Sequence, residues 1–134
     1  MTSAVEEKER VVLLVDDDPD FLEQHRLLLE RAGYKVQAAT SEEEATELLK
    51  DGKFDAAVLD LMLEHDDGGF VLAHRIRRNS KMPIILVTAV TSETGMTFDT
   101  SSQEDKAWLE ADVVLTKPIR FEQLTRELDR LLQG

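Results

Sequence analysis

The chain has 134 residues, 42% of them hydrophobic and 33% charged, which is typical of one globular domain able to bury its own core. Its 28 acidic and 16 basic residues give a net charge of −12, which repels phosphate backbones and disfavours direct nucleic-acid binding, so proteins are the expected partners. The absence of cysteine excludes disulfides and thiolate metal sites, which leaves oxygen or imidazole as the ligands of any metal.

Residues 1–10 are predicted to form a charged N-terminal tail, and residues 11–133 a single domain. The tail has no apolar core of the kind that a secretory signal requires. The longest uninterrupted apolar run is Val11–Val15, far shorter than the roughly 20 residues that span a bilayer. These features predict a cytoplasmic protein without membrane insertion.

The first two elements are a strand and a helix. Val11–Val15 is a continuous run of β-branched residues and leucine, which indicates a strand buried on both faces. Asp18 and Pro19 have the residue types of a helix N-cap and first helical position, and Gly33 stands where a glycine commonly ends a helix. Between them, residues recur at helical spacing on one side: Leu22, His25, Leu28, Leu29 and Ala32.

The next three elements repeat this order. Residues 35–39 predict a second strand, and residues 41–44 have the capping-box pattern that starts a helix containing Ala45, Leu48 and Leu49. Residues 55–61 predict a third strand, followed by a turn-forming Asp-Asp-Gly-Gly at 66–69. The helix after this turn is expected to bury Phe70, Val71, Ala73 and Ile76.

The last part of the chain predicts two further strands and two further helices. Residues 83–88 indicate a fourth strand, with Pro83 tolerable only at its start. A Ser/Thr-rich stretch at 89–100 precedes a short helix at 101–110, and residues 112–115 indicate a fifth strand. The final helix has an apolar stripe made of Phe121, Leu124, Leu128, Leu131 and Leu132.

Five strands alternating with five helices predict a parallel sheet with helices on both faces, because parallel neighbours are joined by right-handed crossovers. The fold class is therefore doubly wound α/β. In such a sheet, ligands bind beyond the carboxyl ends of the strands.

Polar residues follow the predicted strands at that edge: Asp16, Asp17, Asp60, Thr88 and Lys117. The acidic run at residues 16–18, taken alone, is explained more simply by a loop and a helix N-cap than by a functional site. Asp60 has no such simple explanation, because it stands between apolar residues, where a lone carboxylate costs several kcal/mol unless it is compensated.

Carboxylates that converge repel one another, so they either share protons or hold a cation. A hard divalent ion such as Mg²⁺, or Mn²⁺, fits oxygen ligands, with Asp17 and Asp60 binding directly and Asp16 through water. A carboxylate can also attack a phosphoryl group to form an aspartyl phosphate. Lys117 would neutralise a phosphoryl oxygen, and the Thr88 hydroxyl would donate to another.

These residues occur in motifs whose joint spacing resembles the receiver domain of two-component response regulators over residues 11–133. The motifs are the apolar strand ending in Asp16-Asp17, Leu59-Asp60-Leu61-Met62 with Asp67-Gly68 after it, residues 84–89 with their Thr-Ala ending, and Leu115-Thr116-Lys117-Pro118. The resemblance is to the stand-alone, single-domain type.

This resemblance implies a flavodoxin-like (βα)5 fold with strand order 2-1-3-4-5. It further implies that Asp60 is the phosphoacceptor, that the main-chain carbonyl of Met62 completes the metal site, and that the Lys117-Pro118 peptide is cis. A sensor histidine kinase or a histidine phosphotransfer protein would supply the phosphoryl group in a two-component system or phosphorelay. The output would be contact with a downstream protein that the sequence does not identify.

Three features depart from the family's pattern. Glu64 stands where members often have proline. Between Thr88 and Lys117 lie 28 residues, several more than is usual, and the surplus falls in the Ser/Thr-rich stretch. Val114 occupies the place of the usual switch aromatic, so activation by an inward-turning aromatic ring is not expected.

Two other functions remain open. The chain could be an interaction module with a vestigial site, against which the intact polar set argues. It could instead be a phosphatase of the aspartyl-phosphate type, but that chemistry needs an acid two residues after the nucleophile, where Met62 stands. If the chain is instead a receiver domain, as the resemblance implies, catalysis is expected to be limited to the domain's own phosphorylation and dephosphorylation. The three histidines are too scattered for a metal site, and Trp108 is equally compatible with the core and with a partner contact.

Overall fold

The computed structural model describes residues 10–60, 68–89 and 111–132, without the side chains of residues 68–70 and 89. These residues form a parallel five-stranded sheet of order β2-β1-β3-β4-β5. The strands are β1 (Val11–Val15), β2 (Lys35–Ala39), β3 (Ala56–Asp60), β4 (Ile84–Ala89) and β5 (Val113–Lys117). The predicted flavodoxin-like strand order is therefore confirmed.

Four helices connect or follow these strands within the described ranges. They are α1 (Pro19–Arg31), α2 (Glu42–Asp51), α3 (Gly68–Asn79) and α4 (Phe121–Leu132). None of them has the length and apolar character that a membrane span requires. The helix predicted at 101–110 lies outside the described residues, as does the tail at 1–9.

Helices cover both faces of the sheet because alternate residues of each buried strand point to opposite sides. On one face, Leu13 and Val15 of β1 pack in a core with Ala45 of α2 and with Leu72 and Ile76 of α3. On the other face, a second core joins the alternate β1 residues to α1 and α4, through Val12, Leu14, Leu22, Leu29, Leu124 and Leu128. The doubly wound α/β class is confirmed.

The helix termini follow the local sequence signals. Asp18 is the N-cap of α1, and its side chain accepts hydrogen bonds from the amides of Asp20 and Phe21. At the other end, Gly33 has a φ of 102°, and the Tyr34 amide donates to the Leu29 carbonyl at 3.1 Å. This is the hydrogen-bond pattern of a Schellman motif, in which glycine is favoured because a left-handed residue is required.

Several expected boundaries and faces differ from the structure. The third strand begins at Ala56 rather than Asp55, the fourth covers Ile84–Ala89, and the fifth covers Val113–Lys117. Asp112 precedes the fifth strand because its carboxylate accepts from the Ile84 amide at 2.8 Å and pairs with Arg77. In α3, Ala73 and Ile76 are buried as predicted, but Leu72 is also fully buried and Val71 is only half-buried. The side chain of Phe70 lies outside the described part of the structure.

Candidate functional site

Three carboxylates meet at the carboxyl edge of the sheet. Asp60 is the last residue of β3, and Asp16 and Asp17 directly follow β1, its neighbour in the sheet. One oxygen from each side chain lies within 4.8 Å of the others. Asp16 is 1% exposed and Asp60 8%, whereas Asp17 is exposed to solvent. The convergence predicted from strand order is therefore confirmed.

Lys117, at the end of β5, places its ammonium among these carboxylates. Its Nζ lies 3.0 Å from Asp16 Oδ2, to which it donates a hydrogen bond, and 3.5 Å from Asp60 Oδ2. The other Asp16 oxygen accepts from the Asp18 amide at 2.9 Å. Asp16 is thus held by a main-chain donor on one oxygen and a cation on the other.

The electrostatics of the cluster show competition between burial and pairing. Burial raises the pKa of the Asp16 carboxyl and the nearby Asp60 raises it further, against hydrogen bonds from the Asp18 amide and Lys117 that lower it. Burial alone would lower the pKa of the Lys117 ammonium, but hydrogen bonding to Asp16 and attraction by both carboxylates outweigh burial and raise it. Among the described residues, the edge is therefore an anionic site with the Lys117 ammonium as its counter-ion.

Thr88 lies on β4, next to β3 in the sheet. It is 3% exposed and is paired in register with Thr116 of β5, while Val87 is paired with Asp60. Its strand position puts it at the same sheet edge as the carboxylates. The Lys117-Pro118 peptide is cis, as the resemblance implied. Val114 is a residue of β5, and its side chain is buried in the core that contains Leu13 and Val15.

Three other expected features fall outside the described residues. Met62, whose carbonyl is expected to bind the metal, lies there, as do Glu64 and the long stretch before β5. Of the histidines, His74 is exposed and His25 is buried on α1, while His65 is outside the described part. Nothing in the structure brings His25 and His74 together as metal ligands.

Sequence reasoning missed one residue beside the site. Phe21, in the first turn of α1, has its ring centroid 4.7 Å from Lys117 Nζ, and the His25 ring stacks on it. Phe21 and His25 are four residues apart in a helix with a clear N-cap signal, and residues at this spacing are neighbours on a helix surface. Their stacking could therefore have been predicted from the sequence. No local pattern indicated the contact with Lys117, which is 96 residues away in sequence.

The residues present fit a hard divalent cation. Oxygen atoms from three carboxylates converge within one ion's reach, and two of the three side chains are buried, where an uncompensated charge is costly. Mg²⁺ prefers such oxygen ligands, few in number and completed by water. Asp16, Asp17 and Asp60 would hold it.

The family model for the response regulator receiver domain matches residues 12–129. The chain belongs to this family. Among relatives of this receiver domain, the transcriptional regulatory protein AfsQ1 of Streptomyces coelicolor is 33% identical over 122 residues, covering 91% of this chain and 51% of AfsQ1. The transcriptional regulator RpaA of Synechocystis is 33% identical over 125 residues, covering 91% and 48%. The receiver domain thus spans about half the length of these relatives.

Solved structures agree with this assignment. The chemotaxis response regulator CheY4 of Vibrio cholerae has a TM-score of 0.76 and 26% identity, with 93% of this chain and 100% of that one covered. The response regulator TrrA of Thermotoga maritima, solved in complex with Mg²⁺ and BeF, has a TM-score of 0.74 and 27% identity, with 92% and 99% covered. The receiver domain therefore has a CheY-like fold, and its acidic cluster is compatible with Mg²⁺ and with an aspartyl phosphate.

Proposed function

We propose that this receiver domain is a phosphorylation-dependent switch that accepts a phosphoryl group on Asp60. The donor is the phosphohistidine of a sensor histidine kinase or of a histidine phosphotransfer protein. Asp16, Asp17, Asp60 and the main-chain carbonyl of Met62 hold Mg²⁺ or Mn²⁺. The observation that carries this proposal is the buried Asp60 carboxylate in a cluster with two further carboxylates and an ammonium.

In the proposed reaction, a carboxylate oxygen of Asp60 attacks phosphorus while the phosphorus–nitrogen bond of phosphohistidine breaks, and the nitrogen keeps the bonding electrons. Lys117 neutralises one phosphoryl oxygen, and the Thr88 hydroxyl donates to another. The divalent ion supplies charge neutralisation on the transferring group. Attack by water on the same phosphorus later releases inorganic phosphate and restores the Asp60 carboxylate.

The phosphorylated domain is proposed to act through contacts with a downstream protein, or to pass the phosphoryl group onward, in the cytoplasm. The net charge of −12 supports a protein rather than a nucleic acid as the direct partner of this domain. The relatives AfsQ1 and RpaA are transcriptional regulators of about twice this length. Those names are consistent with a downstream partner that itself takes part in regulation.

Two alternatives make different predictions. A vestigial interaction module would not be labelled by a phosphodonor, and the converged carboxylates with Lys117 at 3.5 Å from Asp60 argue against it. A phosphatase of the aspartyl-phosphate type would turn over added phosphate esters. That chemistry also needs an acid two residues after the nucleophile, and Met62 stands at that position in the sequence.

Intact mass spectrometry with acetyl phosphate tests the proposal. We expect one added phosphoryl group in the presence of Mg²⁺, none in its absence, and none in Asp60→Asn, because an amide is not a nucleophile for this transfer. Asp55→Asn is the matched control, since Asp55 precedes the same strand at the opposite sheet edge. Labelling of Asp60→Asn at the wild-type rate would refute the assignment.

A further inference from the structure

The Phe21 ring is a neighbour of the Lys117 ammonium that the proposed chemistry does not use. Lys117 Nζ lies over the ring, 4.7 Å from its centroid. An ammonium in this position is attracted by the negative face of the aromatic ring, and the attraction grows as both groups lose contact with water. Both side chains are half-buried, with Lys117 27% exposed. The ring therefore gives the ammonium an apolar, electrically favourable contact beside the carboxylates.

The ring itself is fixed from the side of α1. The N-cap side chain of Asp18 accepts from the Phe21 amide, which sets the first helical turn. One turn later, His25 stacks on the Phe21 ring with 4.0 Å between centroids and 24° between planes. The imidazole is 8% exposed, and its Nδ1 is 3.0 Å from the Phe21 carbonyl oxygen. The position of the ring thus does not depend on Lys117.

Lysine needs such a support because its side chain has many rotamers and carries its charge on a long flexible stem. The carboxylates alone hold it unevenly, since Asp16 is at 3.0 Å and Asp60 at 3.5 Å. Both carboxylates also change partners in the proposed reaction, because they bind the metal and Asp60 gains a phosphoryl group. The Phe21 ring is a ligand neither of the metal nor of the phosphoryl group in the proposed reaction, so its contact can keep the ammonium near Asp60 while the carboxylates change partners.

We propose that Phe21 is a positioning residue that holds the Lys117 ammonium at Asp60 through the face of its ring. This inference rests on the proposed function, since the benefit is to phosphoryl transfer. It assigns to the first turn of α1 a role in the reaction that depends on the ring's electrostatics and not only on its volume. Loss of the ring is expected to slow labelling by acetyl phosphate by about threefold to tenfold, the size of one partly desolvated cation–π contact.

The first test needs no metal and no phosphodonor. Protons above an aromatic ring are shifted upfield in NMR spectra, so the Lys117 ε-methylene protons should be shifted in the wild type. The shift should persist in Phe21→Tyr and disappear in Phe21→Leu, which retains an apolar side chain of similar reach. An unshifted Lys117 signal in the wild type would overturn the contact on which the proposal depends, whatever the outcome of phosphorylation.

The second test measures the labelling rate in a double-mutant cycle. Phe21→Leu should be about threefold to tenfold slower than the wild type, whereas Phe21→Leu combined with Lys117→Met should match Lys117→Met alone. Leu27→Ala is the control on the same helix, because Leu27 is 47% exposed, and it should leave the rate unchanged. Equal effects of Phe21→Leu with and without Lys117 would reduce Phe21 to a structural role and overturn the proposal.

Ring fluorination separates electrostatics from shape even if Lys117→Met is too slow to measure. Replacing Phe21 by phenylalanines with increasing fluorine content weakens the negative ring face step by step while keeping the ring. The labelling rate should fall in the same order, and a flat series would overturn the proposal. Absence of any labelling in the wild type would instead refute the function of Asp60, and the NMR test would still decide whether Phe21 holds Lys117.

Discussion

Replacing Asp17 by asparagine should stabilise the metal-free domain and weaken its binding of Mg²⁺. The side chain keeps its size and loses its charge, and with it the repulsion by Asp16 and Asp60, whose oxygens lie within 4.8 Å. Asp17 is exposed, so water screens these interactions and the dielectric constant of water is the appropriate one. At that distance each like-charged pair then costs about 0.9 kcal/mol.

Relief of two such pairs amounts to at most roughly 1.7 kcal/mol, because the Lys117 ammonium beside Asp16 and Asp60 offsets part of the repulsion. For a domain of this size, this corresponds to a rise in melting temperature of no more than about 6 °C at low ionic strength. The gain should be smaller below about pH 4. Burial and the neighbouring Asp60 raise the pKa of Asp16 above the ordinary 3.8, so the folded state holds this proton more tightly. The stability that the folded state gains by binding this proton is fully present below pH 3.8, and it is lost as the pH rises through the raised pKa of Asp16 in the folded state.

Differential scanning calorimetry at neutral and acidic pH, with and without Mg²⁺, measures both effects. Mg²⁺ should raise the melting temperature of the wild type more than that of Asp17→Asn, because the variant has lost a ligand charge. Asp18→Asn is the matched control, since asparagine caps a helix as well as aspartate does and Asp18 is outside the carboxylate cluster. A lower melting temperature of Asp17→Asn in metal-free buffer, with the control unchanged, would show that the carboxylate is a structural partner and refute the reasoning.

Three further predictions concern other parts of the molecule. Tyr34→Phe removes the hydroxyl that donates to Asp129 and should cost about 1.5 kcal/mol by urea denaturation. Burial and the bond to Asp129 raise the pKa of Tyr34 in the folded state above 10.0. The difference in stability should therefore be present at neutral pH, begin to decline above pH 10.0 and be lost as the pH rises through the raised pKa, and its absence at pH 7 would contradict the prediction. In the sequence, Met62 and Val90 stand two residues after Asp60 and Thr88, and neither side chain can orient an attacking water by hydrogen bonding. The aspartyl phosphate should therefore be long-lived, and Met62→Asn with Val90→Glu should hasten its decay, so an equal or slower decay would contradict the prediction. With Val114 in place of the usual switch aromatic, the Ser/Thr-rich segment up to Trp108, whose sequence offers little apolar core, is expected to carry the phosphorylation signal. Beryllofluoride should therefore change hydrogen exchange in residues 90–108, and protection changes confined to the metal-binding loops would rule out a switch in this segment.

The sequence predicted best where a local signal and the global fold agree. β1 was predicted at Val11–Val15 because it is buried on both faces and is therefore apolar throughout. The start of α1 followed from the capping preference of Asp18 and the fixed φ of Pro19. The convergence of the carboxylates and Lys117 followed from the rule that parallel strands end at one edge, and needed no knowledge of side-chain positions.

Prediction failed where contacts between distant residues decide the outcome. The hydrophobic pattern of the sequence does not separate Asp112 from β5. In the structure Asp112 lies before the strand, where its carboxylate accepts hydrogen bonds from the Ile84 amide and from Arg77. Leu72 faces the core because of how α3 lies on the sheet, which its own sequence does not define. The contact of Phe21 with Lys117 is of the same kind, since it joins the first helix to the last strand.

If Asp60 accepts a phosphoryl group as proposed, the Lys117 ammonium beside Asp16 and Asp60 links cation binding thermodynamically to phosphorylation. The Lys117 ammonium and a divalent ion would compete for the carboxylates of Asp16 and Asp60. A second anion that attracts the ammonium away from these carboxylates therefore increases the affinity of the site for the divalent ion. A phosphoryl group on Asp60 is such an anion. By reciprocity, an ion bound beforehand must favour phosphorylation by the same factor, and the free energy of this coupling could be obtained from Mg²⁺ titrations alone, with and without a phosphoryl mimic.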